Sequence, residues 1–355
     1  MAVHPPADVP RPAPGSPQGV ARLTRRGVDL GLRWRWRLAA AAAAVIGLAA
    51  VVATRSAAAW RALPLQEFHF SAAPLGLSWL VQSAGWLLAV ANWRLILGEV
   101  GAGGDVGYRG HLRAHTWSAL GNLVPGSVWL PAGRVALYRR LGVSGVAVSA
   151  AIVVEWLVTG IAALALYVAT LPFGITPPWA ALVALAATAG AGVVVLDPRV
   201  RRAGLGWAAR RLGREPGALD HLAAGLGRRA VVLLVVRQAA VLAVSGVGLY
   251  FFMVAVAPKA RLSDALGAWA LSVAVANLLA WLPATILFRE GALALALFPL
   301  YASGMVAVGV AVAWRLWMSV VLASWSVLAF ATRGGDAGRG SVPLSDDCGP
   351  RRGPA

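Results

Sequence analysis

The chain has 355 residues, of which 59% are hydrophobic and only 13% charged, and its formal net charge is +18 at pH 7; its mean hydropathy is +0.70. A water-soluble domain carries charge on about a quarter of its residues, so the bilayer is the expected solvent of this chain. Its one cysteine, Cys348, excludes a disulfide framework and a thiolate metal site, and the arginines lie between apolar runs, which points to membrane topology and anionic headgroups rather than nucleic acid.

In chain order, residues 1–37 read as a disordered, basic cytoplasmic tail, proline-rich to Pro17 and then carrying Arg22, Arg25, Arg26, Arg33, Arg35 and Arg37. The first apolar run superficially resembles an export signal, with Arg25-Arg26 before it and Ser56-Ala57-Ala58-Ala59 after it. The preceding tail is too long for one, and an uncleaved first helix is expected. About 20 apolar residues are needed to cross the hydrocarbon core. Six segments qualify: 38–54, 75–97, 146–168, 179–196, 230–256 and 302–331. Arginine accumulates in the first tail, in 99–140 and in 197–229, whereas 172–178 has no charge. The positive-inside rule therefore places both termini in the cytoplasm of a multi-pass plasma-membrane protein.

Two further segments are apolar but broken by proline, glycine and charge: GNLVPGSVWLPAGRVALYRR (121–140) and ANLLAWLPATILFREGALALALFPL (276–300). If each crossed the membrane, the alternation of arginine-rich and arginine-poor loops would fail. Entry and exit on one side restores it, so two re-entrant hairpins dipping from opposite leaflets are expected. Non-helical backbone at that depth needs protein or a wet cavity to satisfy it. The expected fold is all-α: six transmembrane helices plus two re-entrant hairpins in two inverted halves, 38–168 and 169–331, followed by a disordered cytoplasmic tail, 332–355.

The stretches SGVAVSAAIVVEWL (144–157) and SGMVAVGVAVAWRL (303–316) support such a repeat. Each begins Ser-Gly and sets one charge beside a tryptophan, Glu155 in the first and Arg315 in the second. A lone charge at bilayer depth costs several kcal/mol, so the two are expected to pair or to face one hydrated cavity. In the first hairpin, Asn122, Pro125, Gly126 and Trp129 surround the break, and Arg134 is the candidate for phosphate contact at the cytoplasmic mouth; Arg139 and Arg140 read as anchors in bulk lipid. In the second, Asn277, Pro283, Arg289 and Glu290 are the polar elements, with Arg289 and Glu290 assigned to the opposite gate. The candidate substrate-binding set is thus Asn122, Pro125, Gly126, Trp129, Arg134, Glu155, Arg289, Glu290 and Arg315. His111 and His115, four apart, have no third ligand nearby and read as interfacial packing rather than a zinc site. The tryptophans read as an interfacial belt. No catalytic motif, metal site or cofactor fingerprint is found.

The stretch NLVPGSVWLPAGRVALYRRLGVSGVAVSAAIVVEWLV, with Pro125, Gly126, Trp129, Gly133, Arg134, Arg140, Gly142 and Glu155, resembles the flippase-like membrane region of the lysylphosphatidylglycerol synthase family. That family's second element, P-x-G-[LI]-G-x-R-E, is similar to the stretch with Pro283, Arg289, Glu290 and Gly291, although Thr285 and Leu287 replace its glycines. Leu123-Val124 also stand where a tyrosine or lysine often precedes the first Pro-Gly pair. The resemblance spans roughly 38–331. It implies translocation or presentation of an anionic lipid or lipid-linked glycan headgroup in envelope biogenesis, with membrane lipids and envelope-glycan assembly enzymes as partners. The soluble aminoacyl-transfer domain is not expected after Ala331, so the family's synthase activity is not expected, and the leading reading is not an enzyme. Two alternatives stand beside it. One is a polytopic glycosyltransferase using a lipid-phosphate donor, for which the outward loop offers Glu67 and His69; the other is a non-transporting scaffold for glycan assembly.

Overall fold

The computed structural model describes residues 70–123, 128–171, 227–256, 261–279, 285–301 and 304–331, together with Phe68, Gly190 and Arg199. The expected spans at 38–54 and 179–196, Gly190 apart, and both expected tails lie outside the described residues. The described chain is helical throughout: α1 Ala72–Glu99, α2 Tyr108–Ala119, α3 Trp129–Arg140, α4 Gly145–Thr170, α5 Arg228–Val256, α6 Leu262–Leu278, α7 Thr285–Leu297 and α8 Gly304–Ala331. Short 3-10 turns, Leu120–Leu123 and Phe298–Leu300, follow α2 and α7.

Among the described residues four helices, α1, α4, α5 and α8, are long and apolar enough to cross a membrane, with 28, 26, 29 and 28 residues. At 1.5 Å per residue they are about 39 to 44 Å long, against a hydrocarbon core of about 30 Å. They lie where the second, third, fifth and sixth spans were expected. By contrast α2 and α3 have 12 residues each, about 18 Å, too short to cross. Pro131 is the third residue of α3, inside the first turn, where a missing N–H costs nothing. The end of α3 is set by Gly142, whose φ of +80° suits glycine and lets the next amides, from Gly142 and Val143, close back on Arg139 and Tyr138.

The order long helix, short pair, long helix occurs twice, as α1 to α4 and as α5 to α8. The pair α2/α3 is an antiparallel hairpin: His111 at its start meets Tyr138 near its end at 3.0 Å, and Gly121 lies against the backbone of Trp129 and Leu130. A Cβ at Gly121 would sit 2.7 Å from the Leu130 nitrogen, so only glycine permits this closure.

Contacts fix the directions of the long helices. Ser78 Oγ donates to the Gly248 carbonyl at 2.8 Å, Gln82 Nε2 to the Ser245 carbonyl at 2.8 Å, and Asn92 Nδ2 to Gln238 Oε1 at 2.6 Å. Ascending α1 therefore descends α5. On α8 the order runs the other way: Trp317 Nε1 donates to Ser78 Oγ at 3.0 Å and Trp325 Nε1 to Ser83 Oγ at 3.1 Å, so α1 and α8 are parallel. Gly160 and Thr170 of α4 face Asn277 and Gly267 of α6 respectively, which makes that pair antiparallel. The long helices that open the two halves, α1 and α5, thus run in opposite directions.

Several tryptophans depart from the expected belt. Trp93, Trp269 and Trp314 are buried, and the indoles of Trp79, Trp317 and Trp325 hydrogen-bond across the α1–α8 seam to serines. Indole N–H groups inside an apolar bundle need an acceptor, and serine hydroxyls provide one without adding bulk. Among the described residues the core lies in two large parts, one built from α5 to α8 with the end of α4, the other from α1 to α4 with the start of α5, and a small third part joins α4 to α6 through Tyr167 and Ala270.

Candidate functional site

A cavity of about 220 Å³ lies where the halves meet. Asn122 comes from the end of the first hairpin, Arg289 and Glu290 from α7, Arg315 from α8, and Gln82 and Ser245 from the α1–α5 seam. Its polar wall carries two guanidiniums and one carboxylate, an excess of positive charge. Arg315 Nη2 donates to the Asn122 carbonyl at 2.6 Å, and Arg315 Nη1 stands 3.7 Å from Glu290 Oε1. The Asn122 carbonyl is free for this because the helix has given way there to a 3-10 turn. Arg289 stacks over the Trp269 ring at 4.7 Å, and its buried Nε has no hydrogen-bond partner. Arg315 is the twelfth of the 28 residues of α8, about 17 Å from its start and far from either end.

The expected pairing of Glu155 with Arg315 is corrected. Glu155 Oε2 accepts from Arg134 Nη1 at 2.5 Å, and Arg315 is partnered by Glu290. Arg134 lies only 3% exposed, donates through Nε to Ser118 Oγ at 3.3 Å and covers the Trp93 ring at 4.3 Å. It is therefore not at an open cytoplasmic mouth: the antiparallel closure of the first hairpin folds α3 inward and carries Arg134 onto α4. Glu155 is not on the cavity wall that holds Arg315. Arg289 and Glu290 share that wall with Arg315 and Asn122 rather than forming a separate opposite gate.

The two ion pairs occupy matching places with their charges exchanged. Arg134 is the sixth residue of α3 and Glu290 the sixth of α7; Glu155 is the eleventh of α4 and Arg315 the twelfth of α8. In each half the hairpin's second helix thus pairs with the following long helix, Arg to Glu in the first half and Glu to Arg in the second. In the first half the pair is closed, and its arginine is buried. In the second it is looser, 3.7 Å apart, with the arginine 23% exposed.

Among the remaining candidates, Trp129 begins α3 with 41% exposure, outside the cavity wall, and Pro125 and Gly126 lie outside the described residues, as do Pro283, Glu67 and His69. Arg139 and Arg140 are exposed at the end of α3, as anchors would be. His111 and His115 are buried rather than interfacial. The His111 ring bonds Tyr138, and His115 is enclosed by Trp86 and Trp93. Gln82, Asn92, Gln238 and Ser245, which the structure joins in hydrogen bonds across the α1–α5 seam, were not among the expected site residues. The signal was present: Ser78, Gln82, Gly85 and Asn92 follow steps of four, three and seven, one face of a helix.

Comparison of the chain with family models, with curated proteins and with solved structures yields no match.

Proposed function

We propose that this chain is a multi-pass protein that moves or presents an anionic headgroup, a lipid phosphate or a lipid-linked glycan phosphate, across the plasma membrane, with both hairpins re-entrant and both termini cytoplasmic. One observation carries the reading. Two arginines, one of them held by the Asn122 carbonyl at the end of a broken helix, meet in a cavity where the halves join, with more positive than negative charge on its wall. Guanidinium forks suit phosphate oxygens, and such cavities at repeat interfaces are where transporters of this plan hold substrate. The likeness of 122–158 and 283–291 to the flippase-like family region supports the same reading.

The exchanged ion pairs supply the cycle. With Arg134–Glu155 closed and Glu290–Arg315 loosened, the cavity belongs to one leaflet. Rocking one half against the other closes Glu290 on Arg315 and parts Arg134 from Glu155, which offers the equivalent place to the other leaflet. Each broken contact is offset by one formed, which keeps the two end states close in free energy.

Proteoliposomes with a labelled phosphatidylglycerol test this. The protein speeds exchange between leaflets over empty vesicles, and Arg289→Gln or Arg315→Gln slows it about ten- to a hundredfold, the worth of one charge-assisted hydrogen bond. Exchange no faster than in empty vesicles overturns the transport reading.

A further inference from the structure

A second cationic site lies on the outside of the bundle, apart from the central cavity. A groove of about 470 Å³ runs between α1, the turn after it and α5, and Arg94, Arg237, Glu99 and Tyr108 give it its polar character. Both arginines are exposed, and neither closes an ion pair among the described residues. Their position makes this costly. Arg237 is the tenth residue of α5, about 14 Å along an apolar helix; Arg94 lies five residues before the end of α1, about 8 Å. Because the helices are antiparallel, these depths are measured from the same side. Around them Val232, Leu233 and Val236 are 50%, 52% and 60% exposed, an apolar surface facing acyl chains.

Two guanidiniums on a lipid-facing wall repel each other and lose hydration unless an anion joins them. The single carboxylate, Glu99, leaves one positive charge unmatched. Space for an anion exists: a Cβ at Gly98 or at Gly104 would meet nothing within 4 Å, and the groove volume falls within the ~300 to 1,000 Å³ of small-ligand sites. Both arginine stems can rise along the helices so that their heads reach headgroup level.

We propose that this groove is a dedicated site for an anionic phospholipid of the leaflet at the C-terminal end of α1. Its phosphate is forked between Arg94 and Arg237, and the acyl chains lie along the exposed face of α5. The lipid bridges α1 and α5, the helices whose seam joins the two halves.

The test is native mass spectrometry of the full chain released from nanodiscs of mixed phosphatidylglycerol and phosphatidylcholine. The wild type retains phosphatidylglycerol in preference to phosphatidylcholine, and R94Q/R237Q reduces that preference about tenfold or more, the worth of one charged hydrogen bond. R139Q/R140Q, which removes two exposed arginines elsewhere, leaves it unchanged. R94K/R237K keeps the charge without the fork and gives an intermediate preference. Three results overturn the proposal: no preference in the wild type, an equal loss in R139Q/R140Q, or displacement of the lipid by inorganic phosphate alone, which makes the site one for free phosphate. Should the glutamine pair fail to fold, the lysine pair decides, and an undiminished preference in it overturns the fork.

Discussion

Removing the Glu155 carboxylate tests the ion-pair assignment most directly, because it strands Arg134 in a place where water cannot reach it. Arg134 is 3% exposed and Glu155 19%. At an effective dielectric constant of about 20, unit charges about 4 Å apart attract by about 4 kcal/mol. The desolvation cost of bringing both inside offsets much of that, but loss of one partner leaves the other uncompensated and costs about 3 to 5 kcal/mol. Glu155→Gln and Arg134→Gln are each expected to destabilise by that amount, and the double variant by less than the sum, with a coupling of about 1 to 3 kcal/mol. The Ser118 hydroxyl and the Trp93 face that also hold Arg134 account for the part that Glu155→Gln spares. The assay is a double-mutant cycle from reversible denaturation in mixed micelles. The same cycle on Glu155 and Arg315 should give additivity within about 0.5 kcal/mol, as for groups that do not meet. Coupling between Glu155 and Arg315 as large as that between Glu155 and Arg134, or none in the latter, refutes the assignment.

Single cysteines on a Cys348→Ser background report hairpin geometry: Gly107→Cys and Leu141→Cys, flanking α2/α3, should label from one face of the membrane, and Arg261→Cys and Phe298→Cys, flanking α6/α7, from the opposite face. Labelling of either pair from different faces turns that hairpin into a crossing. At the α1–α5 seam, a Cβ on Gly248 would meet Gln82 Nε2 at 2.6 Å, so Gly248→Leu should part the helices and cost at least about 1 to 3 kcal/mol through overpacking, read as a fall in melting temperature in detergent.

Length, hydropathy and the distribution of arginine were enough to mark, to within a few residues, the four described helices that are long and apolar enough to cross a membrane, because transfer of apolar side chains into hydrocarbon is local and additive along a helix. The two broken segments were legible for a related reason: proline, glycine and charge within an apolar run contradict a simple crossing. The likeness of 144–157 to 303–316 also announced that Glu155 and Arg315 hold equivalent places. Their partners were not legible. Equivalence under a repeat places two residues at corresponding sites, not in contact, and each charge found its counterion on the hairpin of its own half. Only the folding back of α3 brings Arg134 onto Glu155, and only the packing of α8 against the end of the first hairpin carries the Asn122 carbonyl to Arg315, 193 positions away. Burial of charge at bilayer depth demands a partner, which the sequence states. Which one lies within reach is decided by the approach of helix surfaces in three dimensions, and glycines such as Gly121 and Gly248 set how close that approach is.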